Sequence, residues 1–177
     1  MEIIKKIEKI KRISKLKSLE NERFFEIFRD FDEKIKKSYD GPVKSFYKQL
    51  TKIIDCRECG NCCREIIIVF EKDDIPLLSK GIGKSEKEIV EKDFIFYEKH
   101  KVYIMNQSPC KFLKGNECLV YPFRGTECRE FPYLETKEFS KIYNYVFQGY
   151  SICPFHFNAV EFVKNLSVDN SKPIDKL

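Results

Sequence analysis

Eight cysteines are the residues of this chain most able to do chemistry: Cys56, Cys59, Cys62, Cys63, Cys110, Cys118, Cys128 and Cys153. The first four fall in one polar, glycine-containing stretch with Arg57, Glu58, Gly60, Asn61 and Arg64, unlike thiols scattered through an apolar core. Disulfides belong to oxidising compartments. Here no apolar run approaches the ~18 residues that span a bilayer, and the N-terminus alternates Ile with Lys instead of forming a signal-type apolar stretch, so a soluble cytoplasmic protein is expected. Adjacent Cys62 and Cys63 cannot bridge each other without strain and are expected to point apart. Metal ligation is the chemistry left.

Cys56-x-x-Cys59 lets two thiolates face one ion, and Cys59-x-x-Cys62 repeats the step, bringing three to one turn. This is the spacing of ferredoxin-type cluster loops, in which a distant Cys-Pro supplies a further thiolate. Cys153-Pro154 is such a dipeptide, placed where a helix N-terminus would favour negative charge. Cys63 with Cys110, Cys118 and Cys128 makes up a second set of four. The cysteines thus divide into two four-thiolate sites for zinc or an iron–sulfur cluster such as 4Fe-4S, and a single cluster with further thiols around it fits the same spacing. Arg57, Arg64, Lys111, Lys114, Arg124 and Arg129 lie within four residues of a cysteine, suited to offset thiolate charge.

The elements that must hold these thiols follow from periodicity. Ile3, Ile7, Ile10, Ile13 and Leu16 make an amphipathic helix over residues 2–20, its stripe resting on a second helix with Phe24, Phe28, Phe31 and Ile35 on one face. After an Asp40-Gly41-Pro42 turn, a third helix buries Val43, Phe46, Tyr47, Leu50, Ile53 and Ile54 and leads into Cys56. Strands are expected at Glu65–Phe70, Val102–Met105 and Tyr143–Tyr150. A short helix runs from Asp74 to Gly81, with Asp73-Asp74 as capping carboxylates, and a Ser85/Glu88 capping box opens another. Residues 108–133 are turn-rich, leaving Cys110, Cys118 and Cys128 in irregular chain. A closing helix after Pro154 presents Val160, Phe162, Val163 and Leu166, and 167–177 fray. The fold expected is α+β: a small, loop-rich, metal-stabilised domain with few short strands after a helical N-terminal extension. Its parts are the extension (1–55), a cysteine-cluster domain (56–157), and a helix with its tail (158–177).

Cys56-Arg-Glu-Cys59-Gly-Asn-Cys62-Cys63 resembles the CxxCxxCC motif of the YkgJ-type cysteine-cluster family, zinc- or iron-chelating domains. Cys110-Lys-Phe-Leu, Cys118-Leu-Val-Tyr121, Cys128-Arg129-Glu-Phe131-Pro132 and Cys153-Pro154 resemble its later elements, so the resemblance spans roughly residues 56–157. Where the family usually has Arg-Pro, Arg124 is followed by Gly125, which is expected to loosen that turn. The family implies chelation without an assigned reaction. A related region in flagellin lysine N-methylase implies, as an alternative, an iron–sulfur-dependent enzyme acting on protein lysines, although no glycine-rich methyl-donor loop is present here.

The remaining signals are weaker. Residues 1–17 hold seven bases against two acids, while the other 160 are balanced at 26 and 26. The basic helix, residues 1–20, is therefore a candidate surface for a nucleic-acid or protein partner, and a structural-zinc adaptor is the third functional class. A lysine-skewed composition accounts for the same charge without any partner. His156 stands at C-x-x-H spacing from Cys153 but is expected to be packed beside the ligands, and His100 solvated. Tyr121, Tyr133, Tyr143, Tyr145 and Tyr150 are expected to shield the centre from water.

Overall fold

The computed structural model describes residues 1–169, the last two by backbone alone. Four helices come first: α1 (Ile7–Leu16), α2 (Ser18–Asp30), α3 (Glu33–Ser38) and α4 (Asp40–Leu50). The cysteine stretch forms two single turns, α5 (Cys56–Cys59) and α6 (Cys62–Glu65). Then come β1 (Val69–Phe70), α7 (Asp74–Ile82), α8 (Glu86–Asp93), β2 (Phe94–Tyr97), β3 (Val102–Met105), β4 (Leu113–Lys114) and β5 (Glu117–Cys118). A 3-10 turn at Tyr121–Phe123 precedes α9 (Thr126–Glu130), α10 (Phe139–Gln148) and α11 (Pro154–Asp169). The class is α+β, with helices dominant and a few short antiparallel strands. The chain divides into two compact units, Met1–Asp55 with the chain from Pro132 onward, and Cys56–Phe131.

The first unit is helical. Phe28 is fully buried and meets the rings of Phe24, Phe31, Tyr39, Phe139, Tyr143 and Phe147. Phe46 of α4 stacks on Phe162 of α11 at 4.2 Å. Pro42 lies in the first turn of α4, where its missing N–H costs nothing, and the Asp40 carboxylate accepts bonds from the Ser140 N–H (2.7 Å) and hydroxyl (2.9 Å). At the side of α11 the Glu161 carboxylate receives Lys17 (2.5 Å), the Tyr150 hydroxyl (2.7 Å) and Lys164 (3.0 Å). Burial alone would raise its pKa; these three donors outweigh burial and hold it below the ordinary glutamate value.

Several expectations for this unit are corrected. The first helix begins at Ile7 and stops at Leu16, and residues 2–6 are held by side-chain bonds, Asn158 pairing with both the N–H and the carbonyl of Ile4. Helix α1 packs on α11, and Lys17, just beyond its end, pairs with Glu161 of α11 (2.5 Å) and with Glu20 of the second helix (3.8 Å). Helix α2 ends at Asp30, so Phe31 and Ile35 are not on its face; Asp32 caps a new helix by accepting from Ile35 N–H. Ile53 falls beyond α4 and is exposed. Residues 143–148 are the second half of helix α10 and 149–150 the turn after it, not a strand: Phe139 and Val146 lie buried at helical spacing, and that face outweighs the β-propensity of the aromatic run. Residues 167–169 continue α11, with the Ser167 hydroxyl 2.9 Å from that of Tyr39; the rest of the expected frayed tail lies outside the described residues.

In the second unit β3 is central, antiparallel to β1 (Val69↔Ile104) and to β2 (Ile95↔Ile104). The expected strand at Glu65–Phe70 shrinks to Val69–Phe70, because the helical turn that carries the paired cysteines extends to Glu65. Helices α7 and α8 cover the sheet with Ile75, Leu78 and Ile89, which join Ile68, Phe70, Phe94, Met105, Phe112 and Val120. The Ser85/Glu88 capping box forms in full. Helix α7 runs one residue past Gly81 and closes on Gly83, in the left-handed conformation at φ 70° that glycine adopts freely.

Candidate metal centre

Cys63, Cys110, Cys118 and Cys128 come from four different places in the Cys56–Phe131 unit and share one environment. Cys110 is a member of its apolar core cluster, and the other three pack against that cluster. Cys63 lies on α6; Cys118 is on β5, opposite Leu113; Cys128 is in the middle of α9. Two of the three thiols expected in irregular chain therefore sit on short regular elements. The Cys110 N–H donates to the Cys63 carbonyl at 2.8 Å, tying the loop before the β4–β5 hairpin to the cysteine turn.

Burial and neighbouring charge act differently on these four thiols. The Cys62 thiol, hydrogen-bonded to Cys63, holds the Cys63 pKa down to about 7, with burial opposing and the guanidiniums of Arg124 and Arg64 assisting. Burial pushes Cys110 up to about 11 and Cys128 up to about 12, the negative charge of neighbouring thiols adding in each case, and burial raises Cys118 too. One member of the group favours the thiolate and three favour the thiol, as expected when sulfurs share an apolar site without a cation to neutralise them.

Cys62 and Cys63 do not point apart. Their sulfurs are 4.0 Å from each other, because both lie on the single turn of α6 and their side chains swing to the same side. The preceding Gly60 turns the chain between α5 and α6 at φ 59°, and a Cβ there would stand 3.0 Å from the Asn116 carbonyl. Arg64 clamps the same place, donating to Cys59 O (3.0 Å), Gly115 O (2.5 Å) and Asn116 Oδ1 (2.6 Å), while Asn116 Nδ2 donates to Glu58 O (2.9 Å). The cysteine turn is thereby fastened to the tip of the β4–β5 hairpin. The Arg124 guanidinium lies 3.6 Å from the centre of the Tyr121 ring and donates to the carbonyls of Tyr121 (3.0 Å) and Cys128 (3.4 Å).

Two positioning residues were misread or missed from sequence. Asp74 is not a simple cap. Its buried carboxylate accepts from Glu71 N–H (2.9 Å) and from both the N–H (2.9 Å) and hydroxyl (2.8 Å) of Thr126, with Arg129 at 3.6 Å, so it fixes the start of α9 and hence Cys128. Asp73, at the cap position of α7, makes no capping bond. Gly125 does not loosen its turn: a Cβ there would meet the Phe70 ring at 2.7 Å and Asp74 Oδ2 at 3.0 Å, so the missing side chain lets α9 press against β1 and α7. Nothing in sequence spacing could have paired Asp74 with Thr126, 52 positions away.

Cys153 belongs to the first unit, where it is buried at the head of α11 with its N–H on the Gly149 carbonyl (2.9 Å) and its own carbonyl accepting from Phe157 (2.9 Å). His156 is packed, as expected from its neighbours. Its Nε2 donates to the Pro132 carbonyl at 3.1 Å, its ring meets Tyr145 edge-on, and burial lowers its pKa to about 4. Gly149 makes room for it, since a Cβ there would stand 1.9 Å from Nδ1. Of the five tyrosines expected around a metal, only Tyr121 lies in the Cys56–Phe131 unit.

All eight cysteines are described, and none forms a disulfide. Among the described residues, no three or more His, Cys, Asp or Glu side chains already stand grouped as they would around a bound ion. The thiols are near one another but not closed on a common point, so ligation requires side-chain rotation and loss of their protons. The donor set itself, soft thiols flanked by two arginines, fits zinc or iron–sulfur and not a hard cation.

A small α+β unit whose apolar core is lined by clustered cysteines and flanked by guanidiniums defines the class of cysteine-cluster metal-binding domains. The chain belongs to the CxxCxxCC family, described as "Putative zinc- or iron-chelating domain", whose model matches residues 55–145. Seven of the eight cysteines fall in that stretch, and Cys153 lies beyond it. No curated protein and no solved structure matches the chain. No described helix is long and apolar enough to cross a membrane.

Proposed function

We propose that this protein binds iron, as an iron–sulfur cluster, or zinc through its cysteine thiolates, with Cys63, Cys110, Cys118 and Cys128 as one ligand set and Cys56, Cys59 and Cys62 in a second. The observation that carries the reading is the convergence of four thiols from α6, the pre-hairpin loop, β5 and α9 on one apolar cluster beside Arg124. Zinc would supply closed structural crosslinks and an iron–sulfur cluster a one-electron carrier. The chain's own part is to hold the sulfurs, exclude water with Phe70, Phe112 and Val120, and offset negative charge with Arg64 and Arg124.

The full chain, purified without oxygen and assayed for metals by mass spectrometry, should carry iron with broad visible absorption, or stoichiometric zinc without colour. Serine substitution at Cys63, Cys110, Cys118 or Cys128 should lower that content. A folded chain empty of both metals would overturn the reading.

A further inference from the structure

We propose that the exposed face of α1, with the first turn of α2, seats the protein on an anionic bilayer surface, its bases on the headgroups and two leucines in the layer beneath. This surface belongs to the first unit and does not depend on the metal-binding reading above.

Helix α1 is anchored on one side: Ile10 is fully buried, the helix packs on α11, and Asn158 holds both backbone groups of Ile4. The other side is open. Glu8, Arg12, Lys15, Leu16 and Leu19 recur at steps of three or four, the spacing of one helix face, with Lys5 and Lys11 at its borders, and all are exposed. Leu19 stays on that face because helical bonding continues past Leu16, the Lys17 N–H reaching Ile13 O (2.9 Å) and the Lys17 carbonyl accepting from Asn21 (2.8 Å). Four bases thus stand against one acid. Among the described residues Lys5, Arg12 and Lys15 make no ion pair, whereas Lys9 and Lys17 are occupied by Glu2 and Glu161.

Charge alone would suit any polyanion, and the leucines choose among them. Leu16 is 80% and Leu19 68% exposed, in among the bases. A phosphate backbone offers such side chains nothing, and no aromatic residue occurs before Phe24 on which a base could stack. A bilayer surface satisfies both: the bases meet anionic headgroups while the leucines enter the acyl boundary. The basic sector ends after Leu19, where Glu22 and Glu26 put acids beside Arg23.

Co-sedimentation of the full chain with vesicles of phosphatidylcholine, with and without about one-third phosphatidylserine, tests this. Binding is expected to the anionic vesicles only, and to fall at least tenfold from about 0.1 to about 0.5 M salt. Arg12→Gln with Lys15→Gln should weaken it about tenfold or more. Leu16→Gln with Leu19→Gln, which keeps the charge, should weaken it about tenfold, with helicity by circular dichroism unchanged in both variants. No binding to either vesicle, or equal binding to both, would overturn the proposal. So would a leucine variant that binds like the unaltered chain, since charge alone would then account for the attraction. A single-stranded RNA of about 20 nucleotides bound more tightly than the anionic vesicles at equal salt would overturn it in favour of nucleic acid.

Discussion

Around Phe28, in the first unit, six aromatic rings close on one another and a buried carboxylate, Glu161, is satisfied by Lys17, Tyr150 and Lys164. Around Phe112, in the second, the interior is shared between apolar side chains and thiols, and the regular elements near the thiols are two to five residues long. Hairpin β4–β5, α5, α6 and α9 are each too short to hold themselves. Side-chain clamps hold them: Arg64 and Asn116 at the cysteine turn, Asp74 at α9. The first unit carries its stability in packing. The second relies on pairwise ties beside the cysteines that line its core.

That contrast can be broken experimentally. The largest effect expected is on removing metal: a strong chelator under anaerobic reduction should unfold Cys56–Phe131, at a cost on the order of 10 kcal/mol if the ion is structural zinc. Proteolysis should then cut between residues 56 and 131 while the helices of the first unit stay protected. Conversely, Phe28→Ala should cost about 3–5 kcal/mol in denaturant unfolding, by opening a cavity among the rings, with metal content unchanged.

One pH effect belongs to the first unit. His156 is neutral in the fold with its pKa near 4, against about 6.5 in the unfolded chain. Between those values the unfolded state takes up a proton that the folded state refuses. Its stabilising contribution is therefore present above pH 6.5 and lost as pH falls toward 4, up to about 3 kcal/mol. Urea unfolding followed at α10 and α11 should show this slope, and His156→Gln should flatten it. A smaller effect sharpens the account of the second unit: Gly125→Ala forces a methyl against Phe70 and should cost about 1–3 kcal/mol, read as faster metal loss to chelator. Ser85→Ala, which removes the capping box of α8 away from the thiols, should cost about 1 kcal/mol and leave metal retention unchanged.

Sequence disclosed most about local features. The CxxC spacing, the capping box, Pro42 in a first turn and Pro154 at the head of a helix all depend on neighbours within a few residues, and each stands where periodicity and turn chemistry put it. What was illegible depends on contacts made only after folding. The aromatic run Tyr143–Tyr150 reads as a strand until the helical face through Phe139 and Val146 finds a core to enter. The side to which Cys62 and Cys63 turn is a matter of side-chain rotation on one helical turn, which adjacency alone does not dictate. The clamps of Asp74 on Thr126 and of Arg64 on Asn116 span more than 50 positions and leave no periodic trace.

The central claim, that the thiols gathered on the second unit's core are metal ligands, is tested most directly by mapping alkylation of each cysteine by mass spectrometry on anaerobically purified chain, before and after metal is stripped. The account predicts that Cys63, Cys110, Cys118 and Cys128 resist the reagent together and become reactive together when iron or zinc leaves. If these four react independently of metal, or stay protected in a metal-free folded chain, burial alone explains their quiet and the claim is contradicted.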